Sequence, residues 1–129
     1  MEPLSIRLDL PVREMQDLRE RALRSGWEKD WLAVIRPTWE DFSFTYPEGG
    51  ESNAEAFERA RKALETLRNR HLRETIVVAT HGNLLVLLLR VVDPTRGFDF
   101  WQTLTLPDIY RWDLATDGTF GYQRLWVPS

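Results

Sequence analysis

The stretch Thr75-Ile76-Val77-Val78-Ala79-Thr80-His81-Gly82-Asn83, with the apolar run over residues 84–92 that follows it, decides the fold of this chain. Its first six residues are mostly β-branched and apolar, which predicts a central strand covered on both faces. Residues 84–92 are apolar enough for a buried helix, and Asp93-Pro94 predicts where that helix ends. The stretch therefore predicts a strand, a sharp turn and a helix in succession.

The elements upstream of this stretch are predicted from periodicity and from helix-breaking residues. Residues 5–10 alternate polar and apolar side chains as a strand does, and Pro11 follows as a stop. Residues 14–23 fit either a helix or an ordered loop. Residues 29–35 fit a short helix that Pro37 would end.

A long helix and a hairpin complete the prediction. Ser52 and Glu55 have the spacing of a capping box, and the apolar residues of positions 57–72 then recur at steps of three and four. The tail over residues 109–126 reads as two strands around Ala115-Thr116-Asp117-Gly118, where Asp-Gly is a strong hairpin signal. The order of elements predicts an α/β fold with a layered, mixed and mostly parallel sheet flanked by helices.

Composition narrows the class of protein. With 129 residues, 43% hydrophobic and 29% charged, the chain is expected to fold as a single domain over residues 1–129. The net charge of −3 argues against a surface that neutralises nucleic-acid phosphates. The absence of cysteine excludes disulfides, thiolate zinc sites and a cysteine nucleophile, and it fits a cytoplasmic protein.

Membrane and cofactor functions are not indicated either. The N-terminus lacks the basic start and apolar core of a signal peptide. The run over residues 84–92 is far shorter than the roughly 20 residues of a membrane-spanning helix, so no membrane partner is expected. No group of His, Asp and Glu has metal-ligand spacing, and no cofactor is expected.

The segment Thr80-His81-Gly82-Asn83 carries the chemistry that spacing alone indicates. In open α/β sheets, ligands gather where a strand ends and the next helix presents unpaired N–H groups. There His81 can donate to a phosphate oxygen, Gly82 allows close backbone approach, and Asn83 adds an amide donor. The alternative is that His81 only caps the helix and Gly82 only makes the turn, and spacing leaves both interpretations open.

Three segments occur in the order found in the histidine phosphatase superfamily, namely Leu18-Arg19-Glu20-Arg21, Gly49-Gly50-Glu51-Ser52 and the stretch over residues 76–83. Phe98-Asp99-Phe100-Trp101 and Pro107-Asp108-Ile109-Tyr110 resemble the closing section of some bacterial members. The sequence thus resembles this superfamily from about residue 18 to the last strand. The superfamily includes cofactor-dependent phosphoglycerate mutases and broad-specificity phosphatases, so the resemblance implies phosphomonoester hydrolysis or phosphoryl transfer through a phosphohistidine.

The resemblance also implies roles for individual residues. Glu20 falls on the general acid, and His81 falls on the second catalytic histidine, which holds the phosphoryl group. Arg21 and Asn83 match substrate-contacting positions of mutase-like members, and Gly82, which allows close backbone approach, is expected to be the third substrate-binding residue. Without the resemblance, Glu20 and Arg21 would be interpreted as part of a solvated charge run.

The nucleophile of the superfamily has no counterpart here. It is a histidine in an Arg-His-Gly motif after the first strand, and a further arginine follows in a Ser-x-x-x-Arg-Ala segment; this sequence contains neither. His71 lies inside the long predicted helix and does not replace it. We expect the chain to begin inside a longer gene product, to be a fragment, or to be a naturally shortened relative that has lost catalysis.

Each explanation predicts a function. In the first two, the complete protein is a phosphatase or mutase acting on a phosphorylated small molecule, and this chain alone is inactive. In the third, it is a silent phosphate-binding or protein-interaction module. A phosphoglycerate mutase-like fold without its first strand and helix would also expose the edge of residues 75–80. That exposure predicts a homo-oligomer formed through this edge, or a rearranged sheet that closes it.

Overall fold

The computed structural model of the chain describes residues 2–21, 31–46, 50–115 and 120–127. The elements within these ranges are α1 (Glu2–Leu8), α2 (Trp31–Glu40), α3 (Asn53–Arg70), α4 (Gly82–Val92), α5 (Phe98–Thr103), β1 (Tyr110–Leu114) and β2 (Phe120–Arg124), with a short 3-10 turn at Gln16–Leu18. Four predicted segments lie partly outside the described residues: the helix or loop over 14–23 at residues 22–23, the short helix over 29–35 at residues 29–30, the segment over 49–52 at residue 49, and the hairpin turn at residues 116–118.

Helix α3 begins where the sequence predicts. The Ser52 hydroxyl accepts a hydrogen bond from the Glu55 backbone N–H at 3.1 Å, and the Glu55 carboxylate accepts one from the Ser52 N–H at 3.2 Å. This reciprocal capping box satisfies donors that have no partner inside the helix. The buried face of α3 includes Ala56, Ala60 and Ala63. Because alanine side chains are small, another helix can approach this face closely.

That other helix is α4, which is confirmed from Gly82 to Val92. A helix that is apolar nearly all round must be buried on most sides. The core between α2, α3 and α4 is a cluster of buried residues comprising Ile35, Trp39, Ala56, Ala60, Leu84, Val86, Leu87 and Leu88. None of the helices in the described ranges is both long and apolar enough to cross a membrane.

The central strand predicted at residues 75–80 is not formed. The segment has no strand conformation, and Ile76, Val77 and Val78 are 40%, 57% and 41% exposed. A strand needs a neighbour for its backbone N–H and C=O groups. Among the described residues, the only sheet pairs β1 with β2, so residues 75–80 have no strand beside them. The described part of the chain is thus a helix-rich α/β structure with a small antiparallel sheet, and no mostly parallel layered sheet is present in it.

Two further predictions about local structure are wrong. Residues 5–10, predicted as a strand, lie in α1 and the turn that follows it, and Ile6 is 80% exposed. Without a neighbouring strand in the described ranges, the backbone is satisfied by local helical bonds instead. Pro37 does not end α2, because the helix continues through Thr38 and Trp39, both of which are buried. Tertiary burial outweighs the cost of the missing proline donor.

The hairpin is confirmed. Strands β1 and β2 pair antiparallel with Trp112 opposite Tyr122. Arg68, near the end of α3, donates to the Ala115 carbonyl oxygen at 2.9 Å. This bond fastens the hairpin to the helical part of the molecule.

Candidate functional site

A cleft of about 780 Å³ opens where α4 begins. One end of it is polar and contains three of the five predicted site residues; Glu20, Thr80, His81 and Gly82 form this polar end. The remaining lining comes from α2, α4, α5 and the segment before β1. Its apolar residues are Leu32, Leu85, Trp101, Leu104, Leu106 and Pro107, and its polar residues are Gln102, Thr105 and Asp108. The polar end is therefore assembled from two segments that are far apart in the chain.

Glu20 occupies the N-terminus of α4. Its two carboxylate oxygens accept hydrogen bonds from the backbone N–H groups of Asn83 and Leu84, each at 3.2 Å. A third backbone donor, the N–H of Arg21, lies 2.8 Å from one of these oxygens. Helix N-termini favour anions through such donors and through the helix dipole. The anion expected there from sequence was a phosphoryl group, and in this structure it is the carboxylate of Glu20.

His81 is the N-cap residue of α4, with an extended backbone at φ −117° and ψ 164°. Its side chain makes no capping hydrogen bond, and it is exposed to the cleft. His81 is thus the cap residue by position, and its imidazole takes no part in the cap among the described residues. The ring remains available to a ligand in the cleft.

Gly82 lies directly beside the apolar part of the cleft. A Cβ atom built on Gly82 would lie 3.7 Å from Cδ1 of Leu104 and 3.9 Å from the indole nitrogen of Trp101. These are ordinary contact distances, so the fold itself tolerates a methyl group here.

Arg21 and Asn83 lie behind the cleft surface, and their side chains are buried. The Arg21 guanidinium donates to the amide oxygen of Asn53 at 2.5 Å, while its Nε and Nη2 have no hydrogen-bond partner among the described residues. Burial lowers the pKa of Arg21 to about 10, although the nearby carboxylates of Glu20 and Glu51 act to raise it. Arg21 therefore remains a cation at neutral pH. The side-chain oxygen of Asn83 is likewise buried without a partner in the described part of the chain.

The sequence did not predict the residue that anchors residues 17–21, which we call the Glu20 segment. Arg59 of α3 is 8% exposed and forms a forked pair with the Glu51 carboxylate, with N···O distances of 2.9 and 2.7 Å. The same guanidinium donates to the backbone carbonyls of Asp17 and Arg19 at 2.9 and 2.8 Å. The sequence did contain an indication of this role. Arg59 lies on the same face of the helix as Ala56, which is buried, and an arginine on a buried face needs a partner there.

Two more contacts hold the site together. The Thr80 hydroxyl donates to the Leu18 carbonyl oxygen at 2.8 Å, which joins the segment before α4 to the segment before Glu20. Asn53, the first residue of α3, donates to the Thr38 carbonyl at 3.0 Å while it accepts from Arg21. The Glu20 segment is thus tied to α2, α3 and α4.

On the far side of the cleft, Asp108 fixes the segment that lines it. Its carboxylate accepts two hydrogen bonds from Arg124 of β2, both at 2.8 Å, and one from the Thr105 N–H at 2.9 Å. Burial acts to raise the pKa of Asp108, but the hydrogen bonds from Arg124 and Thr105 outweigh it and hold the pKa below its usual value. Asp108 is accordingly an ionised structural group at neutral pH.

No cluster of three or more His, Asp or Glu side chains that would suit a metal ion occurs in the described ranges.

Comparison with known proteins gives one match. The family model of the histidine phosphatase superfamily (branch 1) matches residues 1–112. No curated protein and no solved structure matches the chain. The matched region contains every residue that lines the cleft.

Proposed function

Because the chain belongs to the histidine phosphatase superfamily (branch 1), we propose that the cleft at the start of α4 binds the phosphoryl group of a phosphorylated small molecule. The observation that carries this proposal is that the exposed imidazole of His81, which makes no capping hydrogen bond, and the carboxylate of Glu20 line the same cleft. These are the two groups that the superfamily resemblance assigns to holding the phosphoryl group and to protonating the leaving oxygen.

In this proposal His81 donates to a phosphoryl oxygen, and the backbone at Gly82 lets the group approach closely. In its carboxylic acid form Glu20 supplies the proton to the leaving alcohol oxygen, as a positioned carboxyl group does in general acid catalysis, and the carboxylate that this leaves is the form that accepts the backbone N–H groups of Asn83 and Leu84. Arg21 is buried behind Glu20, so its contribution is positive charge beneath the site and not a direct contact. Asn83 adds its backbone N–H, which orients the Glu20 carboxylate.

The family indicates the class of reaction, and that reaction requires a nucleophile. Phosphohistidine chemistry needs a second, in-line imidazole, and these 129 residues contain no Arg-His-Gly motif. We therefore propose phosphomonoester hydrolysis or phosphoryl transfer for a polypeptide that supplies this nucleophile, and phosphate binding without turnover for these residues alone. The alternative is a phosphate-binding or protein-interaction module with no catalytic form. A sequence without cysteine fits the cytoplasm, which we propose as its compartment.

Phosphate titration with NMR detection of the histidine rings tests the site directly. The chain has two histidines, so His71 at the C-cap of α3 is an internal control for His81. We expect inorganic phosphate to shift the His81 ring signals and to leave those of His71 in place. His81→Ala should abolish the phosphate-induced rise in melting temperature, and His71→Ala should keep it. Equal responses of the two rings, or a rise that survives His81→Ala, would refute the proposed site.

We also propose that the chain self-associates through residues 75–80, as the sequence predicts. The β-branched side chains of Ile76, Val77 and Val78 are largely exposed, and the segment pairs with no strand among the described residues. An exposed segment of this composition readily pairs with another strand. Pairing with the same segment of a second copy would create the larger sheet that the sequence predicts.

Sedimentation velocity over a range of concentrations tests this pairing. Val77→Lys places a charge within the segment and should shift the protein toward monomer. Leu72→Lys is the matched control, because Leu72 is 56% exposed against 57% for Val77 but lies outside the segment. A monomer at all concentrations, or equal effects of the two lysines, would refute pairing through this segment.

A further inference from the structure

The cleft is chemically divided into two parts. At its polar end lie Glu20, Thr80, His81 and Gly82, while most of the remaining lining is hydrocarbon. The apolar wall of the cleft consists of Leu32, Leu85, Trp101, Leu104, Leu106 and Pro107. Gln102, Thr105 and Asp108 also line this part, but most of its residues are apolar, so a ligand that contacts both parts would present a polar group to the first and a mainly apolar group to the second.

The two parts adjoin at Gly82. The indole nitrogen of Trp101 and a methyl carbon of Leu104 lie within 4 Å of the position that a Cβ on Gly82 would take. Trp101 is held in place by stacking on Phe98, with ring centroids 5.7 Å apart. The guanidinium of Arg36 in turn lies over the Phe98 ring, 4.8 Å from its centroid. An alcohol group attached to a phosphoryl group at His81 would thus meet the apolar wall immediately.

The charges of the residues that line the cleft also favour an apolar alcohol group. Among the described residues that line the cleft there is no lysine or arginine, and two of them, Glu20 and Asp108, are carboxylates. A substrate with a carboxylate or a second phosphate on its alcohol part would find no cation in this lining to neutralise it.

From these three observations we infer that the substrate class is phosphomonoesters of apolar or aromatic alcohols, in preference to esters of polar or acidic ones. This inference rests on the proposed phosphoryl site and specifies what occupies the rest of the cleft. Leu106, which is 99% exposed, is the specificity-determining residue that an apolar alcohol group would cover.

Binding of three probes tests the substrate class without requiring turnover. Inorganic phosphate reports the phosphoryl site, while phenyl phosphate and glycerol 3-phosphate have the same charge and differ in the polarity of the alcohol. We expect phenyl phosphate to bind about tenfold more tightly than glycerol 3-phosphate, as burial of a phenyl group against hydrocarbon predicts. Titration calorimetry measures the affinities, and NMR of the two histidine rings locates the site.

The matched variants are Leu106→Ser and Val127→Ser. Both side chains are highly exposed, at 99% and 82%, so neither change should affect folding, and Val127 is not part of the cleft lining. Leu106→Ser should weaken phenyl phosphate binding about threefold and leave phosphate binding unchanged, while Val127→Ser should change neither.

The outcomes separate this inference from the proposed function. If phosphate shifts the His81 ring but the two esters bind equally, or Leu106→Ser behaves like Val127→Ser, the substrate class is wrong and the phosphoryl site stands. If none of the three probes shifts the His81 ring, the proposed function is wrong, and the substrate class is wrong with it.

Discussion

Arg59 is expected to be the side chain on which both stability and the position of Glu20 depend. Its guanidinium makes four hydrogen bonds, two to the Glu51 carboxylate and two to the backbone carbonyls of Asp17 and Arg19. Arg59 and Glu51 are only 8% and 15% exposed, so water cannot readily replace these bonds. Removing one partner of a buried pair leaves the other charge uncompensated, which typically costs about 3–5 kcal/mol.

The informative change is Arg59→Met, which keeps the aliphatic volume and removes the guanidinium. A loss of about 3–5 kcal/mol is a large part of the roughly 5–15 kcal/mol by which domains are stable. Urea unfolding should show a midpoint lowered by about 1 M or more. Hydrogen exchange should be faster at the amides of residues 17–21, because two of their carbonyls lose their donor. If Arg59→Met does not fold, Arg59→Lys, which keeps the charge but loses the fork, should fall between it and the unchanged chain.

Arg61 supplies the matched control on the same helix. Its pairs with Glu58 and Glu65 are exposed to solvent. Exposed pairs contribute little, so Arg61→Met should leave the urea midpoint nearly unchanged. If Arg59→Met lowers the midpoint no more than Arg61→Met does, or leaves exchange over residues 17–21 unaltered, then Arg59 does not anchor the Glu20 segment.

Three further predictions concern the cleft and the start of α3. Gly82→Ala should leave the melting temperature unchanged or slightly raised, because the added methyl group makes only ordinary contacts, and should weaken phosphate binding, because the methyl group takes space beside His81; weakened folding would contradict this. Asp108→Asn should be less stable at neutral pH, and its difference from the unchanged chain should narrow as the pH falls below about 4. The reason is that the pKa of Asp108 in the folded chain lies below its ordinary value of 3.8. The Asp108 carboxylate therefore stabilises the fold above that pH, and this stabilisation is lost as the group is protonated. Stability profiles of the two proteins that run parallel in urea unfolding at several pH values would refute this role. Ser52→Ala should cost about 1 kcal/mol in urea unfolding through loss of the capping box, and a cost near zero would contradict that role.

Local sequence was sufficient for α3, α4 and the hairpin. The capping box at Ser52 joins residues three apart, and the end of α4 at Asp93 follows from the proline after it. The placement of His81 at the start of α4 also follows from local pattern, since an apolar helix after a turn puts its first residues at a free N-terminus. Such features are set by interactions within one or two helical turns.

The interpretation of residues 75–80 illustrates the opposite case. Their β-branched composition satisfies the local preference for a strand, yet a strand exists only if another segment lies beside it to exchange hydrogen bonds. Residues 5–10 depended on a partner in the same way, and α1 formed instead. Pro37 was misread because the burial of Thr38 and Trp39, which carries α2 past the proline, is a property of the packed core.

The site itself shows where local information stops. Sequence supplied a histidine at a helix start and, by resemblance, a glutamate in a charged segment, but it did not indicate that Glu20 would occupy the N-terminus of α4. That contact joins residues 64 positions apart, and the Arg59 contact with the backbone of Asp17 joins residues 42 apart. Because such contacts depend on how α2, α3 and α4 pack around one core, they are decided only when the helices are assembled. Short-range hydrogen bonding therefore determines α3 and α4, whereas long-range packing determines how far α2 extends and the geometry of the cleft.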